Sequence, residues 1–148
     1  MSSQEIRIVI YIKSTAKDIW NALTNPEKTE KYWGGGTRIE SDWQCGSKIK
    51  YHRDGEVTDE HTVIESESPF HLSHTFEPKF GDFQNEKPSR VSFELRDIGN
   101  LVRLTIVHDD FQENSKVYLQ CRNAWPMILS SLKTLLETGE PLPEIEEE

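Results

Sequence analysis

The sequence predicts an α+β fold: a curved antiparallel sheet of about seven strands wrapped around a long C-terminal helix, with two short helices after the first strand. Three observations carry this. The opening segment alternates apolar and polar residues, residues 37–109 keep a strand-and-turn texture throughout, and residues 114–138 bear one long apolar stripe at helical spacing.

The first strand is QEIRIVIYI, residues 4–12, where Ile6, Ile8, Ile10 and Ile12 share one face and β-branched residues dominate. STAKDIWNALT then reads as a helix, with Thr15 as N-cap, Asp18 at the third position, and Ala16, Ile19, Trp20 and Leu23 at helical spacing. It stops near Thr24. Asn25 caps a second short helix whose first residue, Pro26, has no N–H to satisfy, and that helix ends at Tyr32 and Trp33 before Gly34, Gly35 and Gly36.

Six strands follow: TRIESDW, SKIKYHR, EVTDEHTVIES, FHLSHTFE, SRVSFELRD and LVRLTIVHD. Asp54-Gly55 and Gly99-Asn100 are hairpin signals, and Ser68-Pro69 breaks the run between the third and fourth. The longer connection PKFGDFQNEKP, residues 78–88, reads as a mobile surface loop, a plain connector or a lid.

In the last element Tyr118, Arg122, Trp125, Leu129, Leu132 and Leu136 follow one another in steps of three and four, widened by Cys121, Ile128 and Leu135. Gly139 suits the position after a helix, and Pro141 and Pro143 prevent continuation. Pro126 leaves two forms open. The helix either starts at Asn123, with Pro126 in its tolerant first turn, or runs from near Asn114 and bends at residues 122–126; the unbroken stripe favours the second. Residues 1–140 read as one domain and residues 141–148 as an acidic disordered tail.

Among 148 residues, 26 acidic against 17 basic side chains leave a net charge of −9. That balance argues against nucleic acid and against electrostatic docking on anionic lipid. Apolar runs such as IRIVIYI fall well short of the roughly 20 residues that span a bilayer, and MSSQEIR lacks a secretory pattern. A cytoplasmic protein is expected. Cys45 and Cys121 form no CxxC pair, so they read as reduced thiols.

A meander with one apolar face needs a cover, and only the last helix has a stripe long enough. The sequence resembles the START-like (SRPBCC) helix-grip superfamily, START/Bet v 1-like in fold, and within it the domain similar to the C-terminal part of the Hsp90 ATPase activators. The resemblance rests on the I-x-I-x-I strand followed by TAKDIWNALTNPEKTEKYW, on FHLSHTF, VSFEL and VRLTIVHDDF, and on the closing W-x-x-x-L-x-x-L-K-x-L-L-E-T-G; it covers residues 5–139. Ala124, where relatives commonly have Gly, and Pro126 depart from the pattern. The resemblance implies a deep apolar cavity between the sheet and the final helix, used across the superfamily for lipids, sterols, polyketides and plant hormones. It implies no shared chemistry.

The candidate ligand-binding residues are Trp33, Trp43, Tyr51, His74, Phe76, Phe93, His108, Tyr118, Arg122, Trp125 and Leu129. The aromatic ones lie on apolar faces or at element ends flanking the expected cavity. Alternation puts His74 with Phe70, Leu72 and Phe76, and His108 with Leu104 and Ile106, where the two imidazoles could orient a ligand. Arg122 is the one cation on the apolar stripe, either snorkelling to solvent or pairing with a ligand carboxylate or phenolate. No metal and no cofactor is expected: His52, His61, His71, His74 and His108 show no HxH or HxxxH spacing, and there is no G-x-S-x-G elbow.

These features point to non-catalytic binding of a small hydrophobic ligand, aromatic, polyketide-like or lipid-like, by a monomer. Two alternatives stay open. One is a co-chaperone or stress-response partner of Hsp90 type; the other is an aromatase- or cyclase-like enzyme using His74 or His108 as general acid or base.

Overall fold

The computed structural model describes residues 4–143. In order these form β1 (Ile6–Ile12), α1 (Ala16–Thr24), α2 (Pro26–Tyr32), β2 (Arg38–Ser41), β3 (Lys48–Arg53), β4 (Glu56–Glu67), β5 (His71–Phe76), β6 (Ser89–Ile98), β7 (Leu101–Asp109) and α3 (Lys116–Thr138). The fold is the expected α+β helix-grip arrangement.

Local chemistry sets the first boundaries. The Thr15 hydroxyl accepts from the Asp18 N–H (3.1 Å), closing the first turn of α1. Asn25 serves both helices: its N–H donates to the Asn21 carbonyl at the end of α1, and its side-chain oxygen accepts from the Glu27 N–H (3.0 Å) at the start of α2. A 3-10 turn at Gly34–Gly36 then reverses the chain, with Gly35 and Gly36 at φ 72° and 65°, a region that favours glycine.

The seven strands pair antiparallel in the order β1-β7-β6-β5-β4-β3-β2. Asp54 and Gly55 both take positive φ, the geometry of a tight hairpin turn between β3 and β4. Register shifts at Tyr51/His52 and at Val63/Glu65 bend the sheet, as bulges do. The concave face carries the core: Ile6 and Ile12, Ile49 and Tyr51, Val63, Leu72, Val91, Phe93 and Leu95, and Val102, Leu104 and Ile106. Val117, Cys121, Trp125, Leu129, Leu132 and Leu135 of α3 belong to the same buried cluster.

α3 is one helix from Lys116 to Thr138 with Pro126 inside it, so the long form of the helix is the one adopted. Pro126 cannot donate to the Arg122 carbonyl. Arg122 is exposed and Pro126 is on the open side, so the freed carbonyl falls on the helix face that water reaches. Gly139 ends the helix in the left-handed conformation (φ 91°) and donates its N–H to the Leu135 carbonyl (2.8 Å).

Two expectations are corrected. The connection at 78–88 is no free loop. Its Gly81–Asn85 portion is a 3-10 turn, and Glu86 caps α3: one carboxylate oxygen accepts from the Ser115 hydroxyl (2.5 Å), the other from the N–H groups of Lys116 (2.7 Å) and Val117 (3.2 Å). The buried stripe of α3 is also rotated from the expected line. It starts Val117, Cys121, Trp125, which leaves Arg122 in solvent.

Of the expected tail, residues 141–143 are described, and the Leu142 N–H donates to the Ser131 hydroxyl (3.2 Å); residues 144–148 lie outside the described residues. Among the described residues no helix is long and apolar enough to cross a membrane.

Candidate functional site

Between the concave face of the sheet and α3 lies a cavity of about 120 Å³. Its walls are aromatic. Trp33, placed by the end of α2, meets Tyr51 of β3 (ring centroids 5.6 Å) and Trp125 of α3 (5.7 Å), both edge-on. Phe76 of β5 closes one side, and Phe80 and Phe83 come from the connection that Glu86 ties to α3.

The polar part of the wall is the pair Arg53–Asp59. Alternation along β4 turns Asp59, His61 and Val63 inward, and Asp59 is 2 % exposed. An Arg53 guanidinium nitrogen lies 3.1 Å from its carboxylate and also donates to the Thr58 hydroxyl, while Nε–H donates to Thr37. Burial raises the Asp59 pKa, and Arg53 opposes that shift.

Behind the aromatic wall sits a row of neutral imidazoles. The Trp125 indole N–H donates to His108 Nδ1 (3.0 Å), which places the ring proton on Nε2, and this donates to the Ser89 hydroxyl (2.8 Å). His74 Nδ1–H donates to the Thr75 carbonyl (2.7 Å). His61 Nδ1 accepts from the Glu77 N–H (2.8 Å), leaving Nε2 without a hydrogen bond, 3.6 Å from Asp59. His61 stacks on Phe76 (4.6 Å) and on His74 (5.4 Å). Burial pushes His74 down to about 4 and His108 to about 3, and lowers His61 strongly. Burial likewise pushes the Cys121 thiol up to about 12, which keeps this residue of the cavity wall protonated.

The cavity opens onto the surface. A groove of about 740 Å³ between α2, the glycine turn and the outer side of α3 shares Trp33, Arg53, Gln120, Ala124 and Ile128 with it. Met127 and Leu142 line the far part of this groove.

The structure brings Trp33, Tyr51, Phe76 and Trp125 together around the cavity. His74, Phe93 and His108 stand one layer behind, and Leu129 is buried further along α3. Three candidates lie elsewhere. Trp43 sits in the turn after β2, its indole N–H donating to the Thr24 carbonyl (3.1 Å). Tyr118 packs on Phe111 (5.2 Å), and the exposed Arg122 lies over its ring (5.9 Å) rather than over the cavity.

Arg53, Asp59, His61 and Cys121 are site residues absent from the sequence-based set. Asp59 and His61 had a signal, since period two from Val63 turns both inward. Among the described residues no group of three or more His, Cys, Asp or Glu could hold a metal ion.

Residues 13–137 match the family described as Activator of Hsp90 ATPase homolog 1-like protein. Among curated proteins none matches the chain in sequence. Solved structures share its fold. The Aha1 dimer from Colwellia psychrerythraea is 23% identical over 92% of this chain and 98% of its own, with a TM-score of 0.74. An HSP90 activator from Plasmodium falciparum is 19% identical over 93% of this chain and 97% of its own, with a TM-score of 0.73. A protein of the dynemicin biosynthetic locus is 18% identical over 95% of this chain but 49% of its own, with a TM-score of 0.76. At these identities the likeness is one of fold.

Proposed function

The chain belongs to the Activator of Hsp90 ATPase homolog 1-like family, and from that premise we propose that it binds a small hydrophobic ligand between sheet and α3 without transforming it. The carrying observation is the aromatic-walled cavity, with one ion pair in its wall and a mouth on the surface groove. An apolar pocket with a few convergent polar groups is the usual design for recognising a small molecule.

Volume narrows the ligand. About 120 Å³ is well below the roughly 300 Å³ of a drug-sized pocket and near the roughly 150 Å³ that takes up a benzene ring. The ligand therefore buries one ring against Trp33, Tyr51, Phe76 and Trp125, and any further part of it lies in the groove. A whole sterol or polyketide fits only if α3 and the 78–88 connection move apart. His108 has both ring nitrogens engaged and His74 stands behind the wall, an arrangement that speaks against acid–base chemistry by either on a ligand in the cavity. We place this activity in the cytoplasm and in a monomer.

Amide NMR titration with phenol and indole, beside flavonoids, sterols and fatty acids, tests the reading. Single-ring compounds are expected to shift Trp33, Tyr51, Phe76 and Trp125. If no class moves these residues, ligand binding is wrong.

The family match and the fold shared with an HSP90 activator support a second reading, a co-chaperone acting on Hsp90. It predicts recovery of Hsp90 in a pull-down, unaffected by Trp125→Phe. Recovery of no Hsp90 by the intact chain would exclude it.

A further inference from the structure

On the convex face of the sheet Tyr11, Arg103 and Arg96 stand in one row: Tyr11 is opposite Arg103 across β1 and β7, and Arg103 opposite Arg96 across β7 and β6. All three point away from the core. Their neighbours Ile10, Ile12, Val102, Leu104 and Leu95 lie on the concave side. Side chains directly opposite on adjacent strands stand within about 5.5 Å at Cβ, so two like charges occupy one cross-strand pair, an arrangement that destabilises a sheet.

Several other charged side chains on this face have partners. Arg7 pairs with Glu5 (3.1 Å), Arg90 with Asp109 (3.2 Å), and His71 with Glu94. Among the described residues the side chains of Arg96 and Arg103 have no hydrogen bond and no ion pair, in a chain that carries 26 carboxylate side chains. Of the carboxylates nearest Arg96 on the strand, Asp97 is in register with the buried Val102 and belongs to the opposite face, and Glu94, which shares the face, is engaged by His71. Beside the arginines the paired Ile98 and Leu101 are each 40 % exposed, and Tyr11 is 48 % exposed.

We propose that this row, Arg96 and Arg103 with Tyr11, Ile98 and Leu101, docks an acidic peptide segment of a partner protein. Two guanidinium forks side by side take two carboxylates in bidentate fashion, and the exposed Tyr11, Ile98 and Leu101 receive an apolar side chain between the acidic ones. The chain's net charge of −9 selects against extended polyanions: duplex nucleic acid and an anionic bilayer reach beyond the row, whereas at physiological salt, with a screening length of about 8 Å, a short segment meets mainly the row. The surface is remote from the cavity and stands whether or not the cavity binds a ligand.

The test uses the intact chain and an end-capped peptide Glu-Glu-Leu-Glu-Glu-Glu, followed by amide NMR and calorimetry at low and physiological salt. Shifts are expected at Tyr11, Arg96, Ile98, Leu101 and Arg103, with affinity falling as salt rises. Arg96→Gln with Arg103→Gln should weaken binding about ten-fold or more, while the control Lys17→Gln with Lys50→Gln, of equal charge change, leaves it within about two-fold. Both pairs substitute exposed or half-buried side chains, and circular dichroism checks that each variant is folded. Absence of peptide binding at low salt overturns the proposal. So does equal binding by the two double variants, or tighter binding of duplex DNA or phosphatidylserine vesicles than of the peptide.

Discussion

His74 gives its Nδ1–H to the Thr75 carbonyl inside a wall of rings, and the charged imidazolium has no carboxylate there to compensate its burial. Burial holds its pKa at about 4, against about 6.5 in the unfolded chain. The sign follows directly. A folded-state value below the unfolded one means that the stabilisation is complete above pH 6.5 and is lost as pH falls toward 4, because the unfolded chain takes up the proton first. His61 and His108 act in the same direction; Asp59, whose pKa burial raises, acts in the opposite one. A histidine that stays neutral in the folded chain over this range contributes at most about 1.4 kcal/mol per pH unit. Urea unfolding between pH 6 and pH 4.5 should show a steep loss, and His74→Gln should reduce that slope by one proton whatever it does to stability at pH 7. An unchanged slope would mean that His74 titrates in the folded chain as it does in the unfolded one.

A proline in the middle of a helix costs roughly 3 kcal/mol, through the lost hydrogen bond and the clash of its ring with the previous turn. In α3 the vacated carbonyl of Arg122 lies on the solvent side, while Trp125 beside it points into the core. Pro126→Ala should therefore raise stability by about 1–2 kcal/mol, the restored bond being partly offset by the freer unfolded chain, and a rise in Tm would register it. The same helix shows what local chemistry discloses. Thr15, Asn25, Pro26, Asp54-Gly55 and Gly139 were readable because each boundary depends on atoms a few residues away. Glu86 was not, since the groups it caps stand about thirty positions further on and only the folded chain brings them near. Arg122 was misplaced for a related reason. Two lines through the helix both pass Trp125, Leu129 and Leu132, and what lies opposite decides which is buried.

For the molecule as a whole, the buried cluster runs without a break from β1 through the sheet to α3, so residues 4–143 should melt as one unit. Tryptophan fluorescence and far-UV circular dichroism are expected to give coincident urea curves; a second transition would divide the chain. Fold class was legible because strand alternation and the long stripe demand each other. The free volume was not, being the small remainder of many side-chain sizes, and Trp33, Tyr51, Phe76 and Trp125 could as well have filled it. Strand order has a further consequence for synthesis. Among the described residues β1 pairs with β7 alone, Ile6 opposite His108, so once made this segment waits for about a hundred more residues before its partner exists. IRIVIYI has the composition of a strand that adds readily to other chains. Nascent copies of this chain thus expose an unpaired, adhesive strand until β7 has been made, and crowding on the ribosome is expected to favour aggregation over that interval.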